Sequence, residues 1–339
     1  MKSLVITGDS LSYNRYGYDE IPRNDAWNCH IGMQSWSFRL RNLFLTSAEG
    51  FKYADELQFE EENVSGLGEN CNLQDAIFGE RVKTIIPKND KIHFSAESNN
   101  GKLVLYFQKR PKNYCRFKIS VDGVCNENII DTNGEDGFYQ GWSILSIEVS
   151  CDKNRNLHDV VLFDFEYTEF TPLVTLAGVS CEAKNAAVTG QGSRTAKFIN
   201  YHYDERIRKY NPDKLIIIFG GNDCIRYGTQ EYKANLESIL GKVKTDFPSC
   251  EILGITIPPS RLYTGDANGK RFTSQEAWND YIDEYNAVFK ETFKKYGAEI
   301  IETAKVFEGI PTEKWRFDEV HMTTFGNDLL FDAVCKKIF

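Results

Sequence analysis

The chain has 339 residues, 26% of them charged, and a formal net charge of −9. That length exceeds one ordinary domain, so two are expected. The acidic balance, without a basic run, argues against a nucleic-acid partner, and no apolar stretch approaches the roughly 20 residues of a membrane span.

The chain opens on a four-residue apolar run, Leu4-Val5-Ile6-Thr7, followed at once by Gly8-Asp9-Ser10-Leu11. A buried strand that ends this way sets a hydroxyl on a tight turn, where the next helix offers free backbone N–H groups. Ser10 is therefore a candidate nucleophile; as an isolated motif it reads equally well as a helix cap. A helical face follows from Gln34 to Thr46, carrying Trp36, Leu40, Leu43 and Phe44.

From 47 to 171 the pattern changes. Lys102–Phe107, Cys115–Val121, Ser143–Ser150 and His158–Phe165 are short β-rich runs, several alternating with period two, and Asp122-Gly123 is a turn signal. An antiparallel β-sandwich of jelly-roll type, inserted between two halves of an α/β domain, is the expectation.

Strand and helix then alternate to the end of the chain. Asn185-Ala-Ala-Val-Thr189-Gly190-Gln191-Gly192-Ser193 leads into a helical pattern over Thr195–Tyr210. A missing Cβ at Gly190 would let a backbone N–H approach a reacting carbonyl. The buried strand Lys214–Phe219 ends in Gly220-Gly221-Asn222-Asp223, which projects the Asn222 amide from a strand end. Leu236, Ile239, Leu240, Val243 and Phe247 mark an amphipathic helix. Glu251–Ile257 is a strand, Ala277–Tyr296 a helix closed by Gly297, and Glu299–Glu302 a last short strand. Asp318-Glu319-Val320-His321 precedes the final helix, Thr324–Phe339. Acid and histidine three apart can reach one site, and a serine nucleophile needs such a base and orienting acid.

With these residues in hand, the chain resembles the SGNH (GDSL-type) hydrolases. The family's four blocks occur in its order, at Gly8–Leu11, Gly190, Gly220–Asp223 and Asp318–His321, and the glycine five residues past the histidine is Gly326. Two departures stand out. Met322 replaces a frequent proline, and 180 residues separate the first two blocks where the family has a few tens. The inserted segment's tail, from His158 to Glu169 and then Leu176 to Val179, resembles the end of the jelly-roll domain in family 2 carbohydrate esterases. The resemblance implies an α/β SGNH-type three-layer sandwich with a parallel sheet over 1–46 and 172–339, and a β-sandwich over 47–171.

It also implies a site. Ser10, His321 and Asp318 would form the catalytic triad, and Ser10, Gly190 and Asn222 the oxyanion hole, with Asp9 and Asp223 supporting. The activity implied is a serine esterase that takes a small acyl group, acetyl foremost, from a carbohydrate. An O-acyltransferase acting on a glycan and a catalytically silent carbohydrate-binding protein are the alternatives. No metal or cofactor is expected. The expected partner is a small-molecule or oligosaccharide ester, with no nucleic acid or membrane, and a homo-oligomer stays open. Nine cysteines, an odd number with no Cys-x-x-Cys pair, favour reduced thiols over disulfides or a zinc site. With Met1-Lys2-Ser3 running straight into the strand before Ser10, a cytoplasmic location is expected. His30, His93, His158 and His202 read as structural. Trp27, Trp36, Tyr13, Tyr16 and Tyr18 read as packing residues, or as a platform on which a sugar ring could stack.

Overall fold

The computed structural model describes residues 2–13, 35–60, 64–65, 83–87, 90–109, 115–133, 144–167, 174–190, 192–318 and 320–339. Tyr16, Tyr18, Trp27 and His30 lie outside them. The chain divides into two compact units, one of residues 1–41 with 187–339 and one of residues 42–186.

The first unit is built on a five-stranded sheet. Its spatial order is Asn185–Val188, Ser3–Gly8, Lys214–Ile218, Glu251–Ile255 and Glu299–Ile301, which in chain order reads 2-1-3-4-5. The first, third, fourth and fifth strands run parallel, in registers such as Leu4↔Lys214, Lys214↔Glu251 and Leu253↔Glu299. The two innermost, Ser3–Gly8 and Lys214–Ile218, are buried at every position, as expected of a parallel sheet covered on both faces. Successive side chains alternate between those faces. Val5, Leu215, Ile217, Phe219 and Ile252 join one core with the helices Thr229–Asp246 and Gln275–Lys295. Leu4, Ile6, Ile216, Ile218 and Leu253, their neighbours in sequence, are equally buried outside that cluster.

Helix ends follow local chemistry. Ser274 and Thr323 cap the helices Gln275–Lys295 and Thr324–Ile338 through their side-chain oxygens, and Gly297 adopts φ +69° just past the former. The single helix expected over Thr195–Tyr210 is a correction. It is three short pieces, Ala196–Tyr201, Tyr203–Arg206 and a 3₁₀ turn Arg208–Tyr210, broken at His202 and Ile207 and stopped by left-handed Asn211. Among the described residues no helix is long and apolar enough to cross a membrane.

The second unit holds two antiparallel sheets. One contains Ile144–Ser150, Lys102–Gln108, Val174–Ser180, Lys83–Pro87 and Val64–Ser65 in that order, with Lys52–Tyr53 also on Val174–Ser180. The other contains Gln58–Phe59, Lys91–Glu97, Leu157–Tyr167, Cys115–Val121 and Val124–Asp131. Leu105, Phe107, Val174 and Leu176 of the first sheet and Phe94, Phe117, Ile119 and Leu162 of the second share one core. Asp122 and Gly123, at φ +52° and +79°, make the tight turn that the sequence signalled.

The inserted unit therefore starts five residues before, and ends fifteen after, the expected 47 and 171. Val174–Ser180, which the expected boundary assigned to the α/β domain, is a strand of the second unit, paired on both sides. Its unbroken apolar burial looks in sequence like a parallel core strand, which explains the misplacement.

His158 is fully buried, with Nδ1 2.7 Å from Asp122 Oδ2 and Nε2 3.2 Å from the Ser98 carbonyl. His93 bridges Glu60 and Asp159, and His202 bonds Glu205.

The strand ends make a direct prediction. A Cβ on Gly8 would lie 2.2 Å from the Ile218 carbonyl oxygen, on a backbone at φ +156°. Gly8→Ala should lower unfolding free energy by roughly 2–5 kcal/mol, measured by urea denaturation; an unchanged midpoint would contradict the packing described.

Candidate active site

Strand order decides where a site can form. In a 2-1-3-4-5 sheet the crevice opens at the carboxyl ends of the first and third strands, where connections diverge to opposite sides. Those ends are Gly8 and Ile218, paired with each other. The first continues into Asp9-Ser10, the third into Phe219 to Asp223.

The turn after Gly8 is tied down from several directions. Asp9 N–H donates to the Ile218 carbonyl at 3.3 Å, and Asp9 Oδ1 accepts from Leu11 N–H at 2.9 Å. The Asp9 carbonyl accepts from Ser12 N–H and from Ser12 Oγ, at 3.2 and 2.7 Å. Ser10 opens the short helix Ser10–Tyr13, so its hydroxyl stands at a strand end with its backbone fixed.

His321 reaches that hydroxyl from the opposite end of the chain, with Nε2 2.9 Å from Ser10 Oγ. Its Nδ1 lies 2.7 Å from Asp318 Oδ2, while Asp318 Oδ1 accepts the backbone N–H groups of Val320 and His321 at 2.9 and 2.8 Å. Burial alone would raise the Asp318 pKa. The hydrogen bond and charge of His321, with the two backbone donors, overcome it and hold the carboxyl down to about 2. An ionised Asp318 can only accept, so it selects the Nδ1–H tautomer and leaves the Nε2 lone pair facing Ser10.

The loop bearing this pair is closed by a bridge between Arg316 and Met322 and by Phe317 N–H on the His321 carbonyl at 2.8 Å. Thr323 Oγ1 bonds the Lys314 carbonyl at 2.7 Å. Met322, at the family's frequent proline position, is fully buried, so an apolar anchor holds the loop there.

Gly190 and Asn222 meet the residues that flank Ser10. A Cβ on Gly190 would lie 1.7 Å from Ser12 Oγ and 3.4 Å from the Asp9 carbonyl oxygen; only glycine lets the two loops come this close. Asn222, on the helix Gly221–Arg226, lies near enough to the Asp9 side chain to lower its pKa. Asp223 accepts Ala196 N–H on its carboxylate, at 3.0 and 3.2 Å, and so ties the third strand's loop to the helix after Gly190.

Both supporting carboxyls are buried. Burial pushes Asp9 up to about 6, against the Leu11 N–H, His321 and Asn222, which lower it. Burial and then the charge of Asp9 push Asp223 up to about 8, against the Ala196 N–H. At neutral pH the pair thus carries less than two charges.

All seven sequence-predicted site residues fall in one unit, around one turn. Trp36, read as a packing residue or a sugar platform, is fully buried, with its indole N–H on the Leu11 carbonyl at 2.9 Å, which fits packing and rules out the platform. Two further residues escaped the sequence reading. Asn327, also fully buried, and the cap Thr323 complete the set. An asparagine within an otherwise apolar helix face was the one available signal. Among the described residues no group of three or more His, Cys, Asp or Glu could hold a metal ion.

Residues 174–329 match the GDSL-like lipase/acylhydrolase family. This segment is similar to a GDSL-type (SGNH) hydrolase domain. The match takes in Gly190, Asn222, Asp223, Asp318 and His321 and begins well beyond Ser10, which the inserted unit separates from the other blocks. No curated protein matches the chain. Among solved structures, a peptidoglycan O-acetylesterase is 12% identical, with 100% of this chain and 90% of that one covered at a TM-score of 0.46. A lipase/acylhydrolase from Enterococcus faecalis is 18% identical, over 46% and 76%, at 0.37. An acetylxylan esterase from Geobacillus stearothermophilus is 18% identical, over 46% and 73%, at 0.38. These likenesses are distant.

The shifted carboxyls have a measurable consequence. A carboxyl whose pKa is raised by folding contributes stability below its unfolded value of 3.8, and loses it as pH rises through the folded value. For Asp9 that loss is complete somewhat above pH 6, for Asp223 above pH 8. Asp318 has the opposite sign, its contribution being lost only as pH falls from 3.8 toward 2. Unfolding free energy should therefore decline between about pH 4 and 8, and Asp223→Asn should flatten that decline, most visibly above pH 6. An identical slope in the variant would refute the assignment.

Proposed function

We propose that this protein is a serine esterase that removes an acetyl group from a carbohydrate. One observation carries the reading: the unbroken line of hydrogen bonds from Ser10 Oγ through His321 to Asp318. A serine paired with a neutral imidazole whose far nitrogen is held by a half-buried carboxylate is an activated nucleophile.

In this reading Ser10 Oγ attacks the ester carbonyl carbon while His321 Nε2 takes its proton. The carbonyl oxygen becomes an oxyanion, met by the backbone N–H groups of Ser10 and Gly190 and by the Asn222 amide. Collapse breaks the bond to the sugar oxygen, which leaves with the proton from His321, and the acetyl group stays on Ser10. Water, deprotonated by His321, then releases acetate. Asp318 compensates the imidazolium in both steps without taking the proton. The family of the domain supports acyl transfer from an ester. The likeness of the inserted unit's last strands to the jelly-roll domain of family 2 carbohydrate esterases favours a sugar as the alcohol.

The test is kinetic, on an acetylated oligosaccharide. Ser10→Ala and His321→Ala should each remove nearly all turnover while the protein stays folded. Asn222→Ala should cut kcat by roughly 10²–10³ with KM little changed, because its donor acts on charge that develops in the transition state. Full activity in folded Ser10→Ala would overturn the proposal. Transfer of the acetyl group to an added sugar in preference to water would reassign the protein as an acyltransferase.

A further inference from the structure

Ser10 and His321 are 311 residues apart and sit on segments that, among the described residues, no strand pairing joins. Their hydrogen bond is only as good as whatever fixes one loop against the other. The structure provides a second connection, one residue away from each. Leu11, next to Ser10, accepts the Trp36 indole N–H on its carbonyl at 2.9 Å. The Trp36 backbone N–H donates to Asn327 Oδ1 at 3.1 Å. Asn327 Nδ2 donates to the carbonyls of Thr323 at 2.9 Å and Met322 at 3.4 Å, and Met322 adjoins His321.

Trp36 and Asn327 are both 0% exposed. A polar side chain that far from water is costly unless every donor and acceptor is used, and here the indole N–H, the amide oxygen and the amide nitrogen all are. Such a network admits few alternative geometries. The same two helices also meet at an ion pair, Arg39 with Asp328, whose side chains are 32% and 47% exposed. That contact docks the helices but touches neither Leu11 nor Met322.

We propose that Trp36 and Asn327 are positioning residues that set the Ser10–His321 hydrogen bond, by clamping the nucleophile turn to the histidine loop through Leu11 and Met322. The inference rests on the esterase reading above, since it assigns the clamp a role in nucleophile activation.

A clamp of this kind acts on the chemical step and leaves substrate binding alone. In Trp36→Phe and Asn327→Leu, kcat should fall about ten- to hundredfold, the scale of a small misplacement of reacting groups, while KM stays within about twofold. The rate at which a small organophosphonate labels Ser10 should fall by the same factor, because that reaction needs only the activated hydroxyl. Asp328→Asn, which weakens the neighbouring helix contact, should leave both rates unchanged. Near-ultraviolet circular dichroism and the unfolding midpoint, recorded for each variant, separate misplacement from unfolding, and Trp36→Phe keeps the aromatic bulk should Asn327→Leu fail to fold.

Folded variants with kcat and labelling near wild type would overturn the clamp. So would an equal loss in Asp328→Asn, which would make helix docking sufficient. A wild-type protein that hydrolyses esters without phosphonate labelling of Ser10 would instead overturn the esterase reading itself.

Discussion

The parallel pairing of Ser3–Gly8 with Lys214–Ile218 is the constraint on which the site depends. Their register runs from Leu4↔Lys214 to Gly8↔Ile218, so both strands end at the same level. Side chains separated by two hundred residues of sequence are thereby delivered to one point, and Asn222 reaches the carboxylate of Asp9. A shift of one residue in this register would turn every core side chain to the wrong face, so burial of the strands fixes the chemistry along with the fold. The glycines follow from the same closeness: at Gly8 and Gly190 a single methyl group would collide with a carbonyl or a hydroxyl.

Around that point the protein holds charge where charge is expensive. Asp9 and Asp223 are buried and their pKa values are raised, so they oppose folding as they ionise. Asp318 is lowered because its oxygens meet an imidazole and two backbone N–H groups. The contrast separates the roles. Asp318 stays ionised and orients a base; Asp9 and Asp223 act as hydrogen-bond acceptors that fix the turns around it, the first holding Leu11 and Ser12, the second Ala196. Departures from simple burial rules concentrate at the site, as expected where stability is given up for function.

Much of this was legible in the sequence, for identifiable reasons. The core strands read clearly because parallel strands buried on both faces are uninterrupted apolar runs, and the four blocks lie at strand or loop ends, where chemistry is local. What was not legible depends on long-range partners. Val174–Ser180 looks like a core strand of either unit, and only its antiparallel neighbours place it in the second. The Thr195–Tyr210 pattern is helical in period, yet breaks at His202 and Ile207. Trp36 and Asn327 are ordinary letters in helical segments, and their joint meaning appears only when the two helices meet. A side chain whose role is a distance between two other residues leaves no periodic trace.

The central claim is that Ser10 carries the acyl group, and a trapped intermediate tests it most directly. The protein would be mixed with an activated acetate ester, quenched in acid within milliseconds, digested and read by peptide mass spectrometry. The account predicts a transient acetyl group on the peptide containing Ser10, and its accumulation in a variant whose deacylation is slowed. Rapid ester turnover with no acetyl on Ser10, or with the acetyl group on another residue that is kinetically competent, would contradict it.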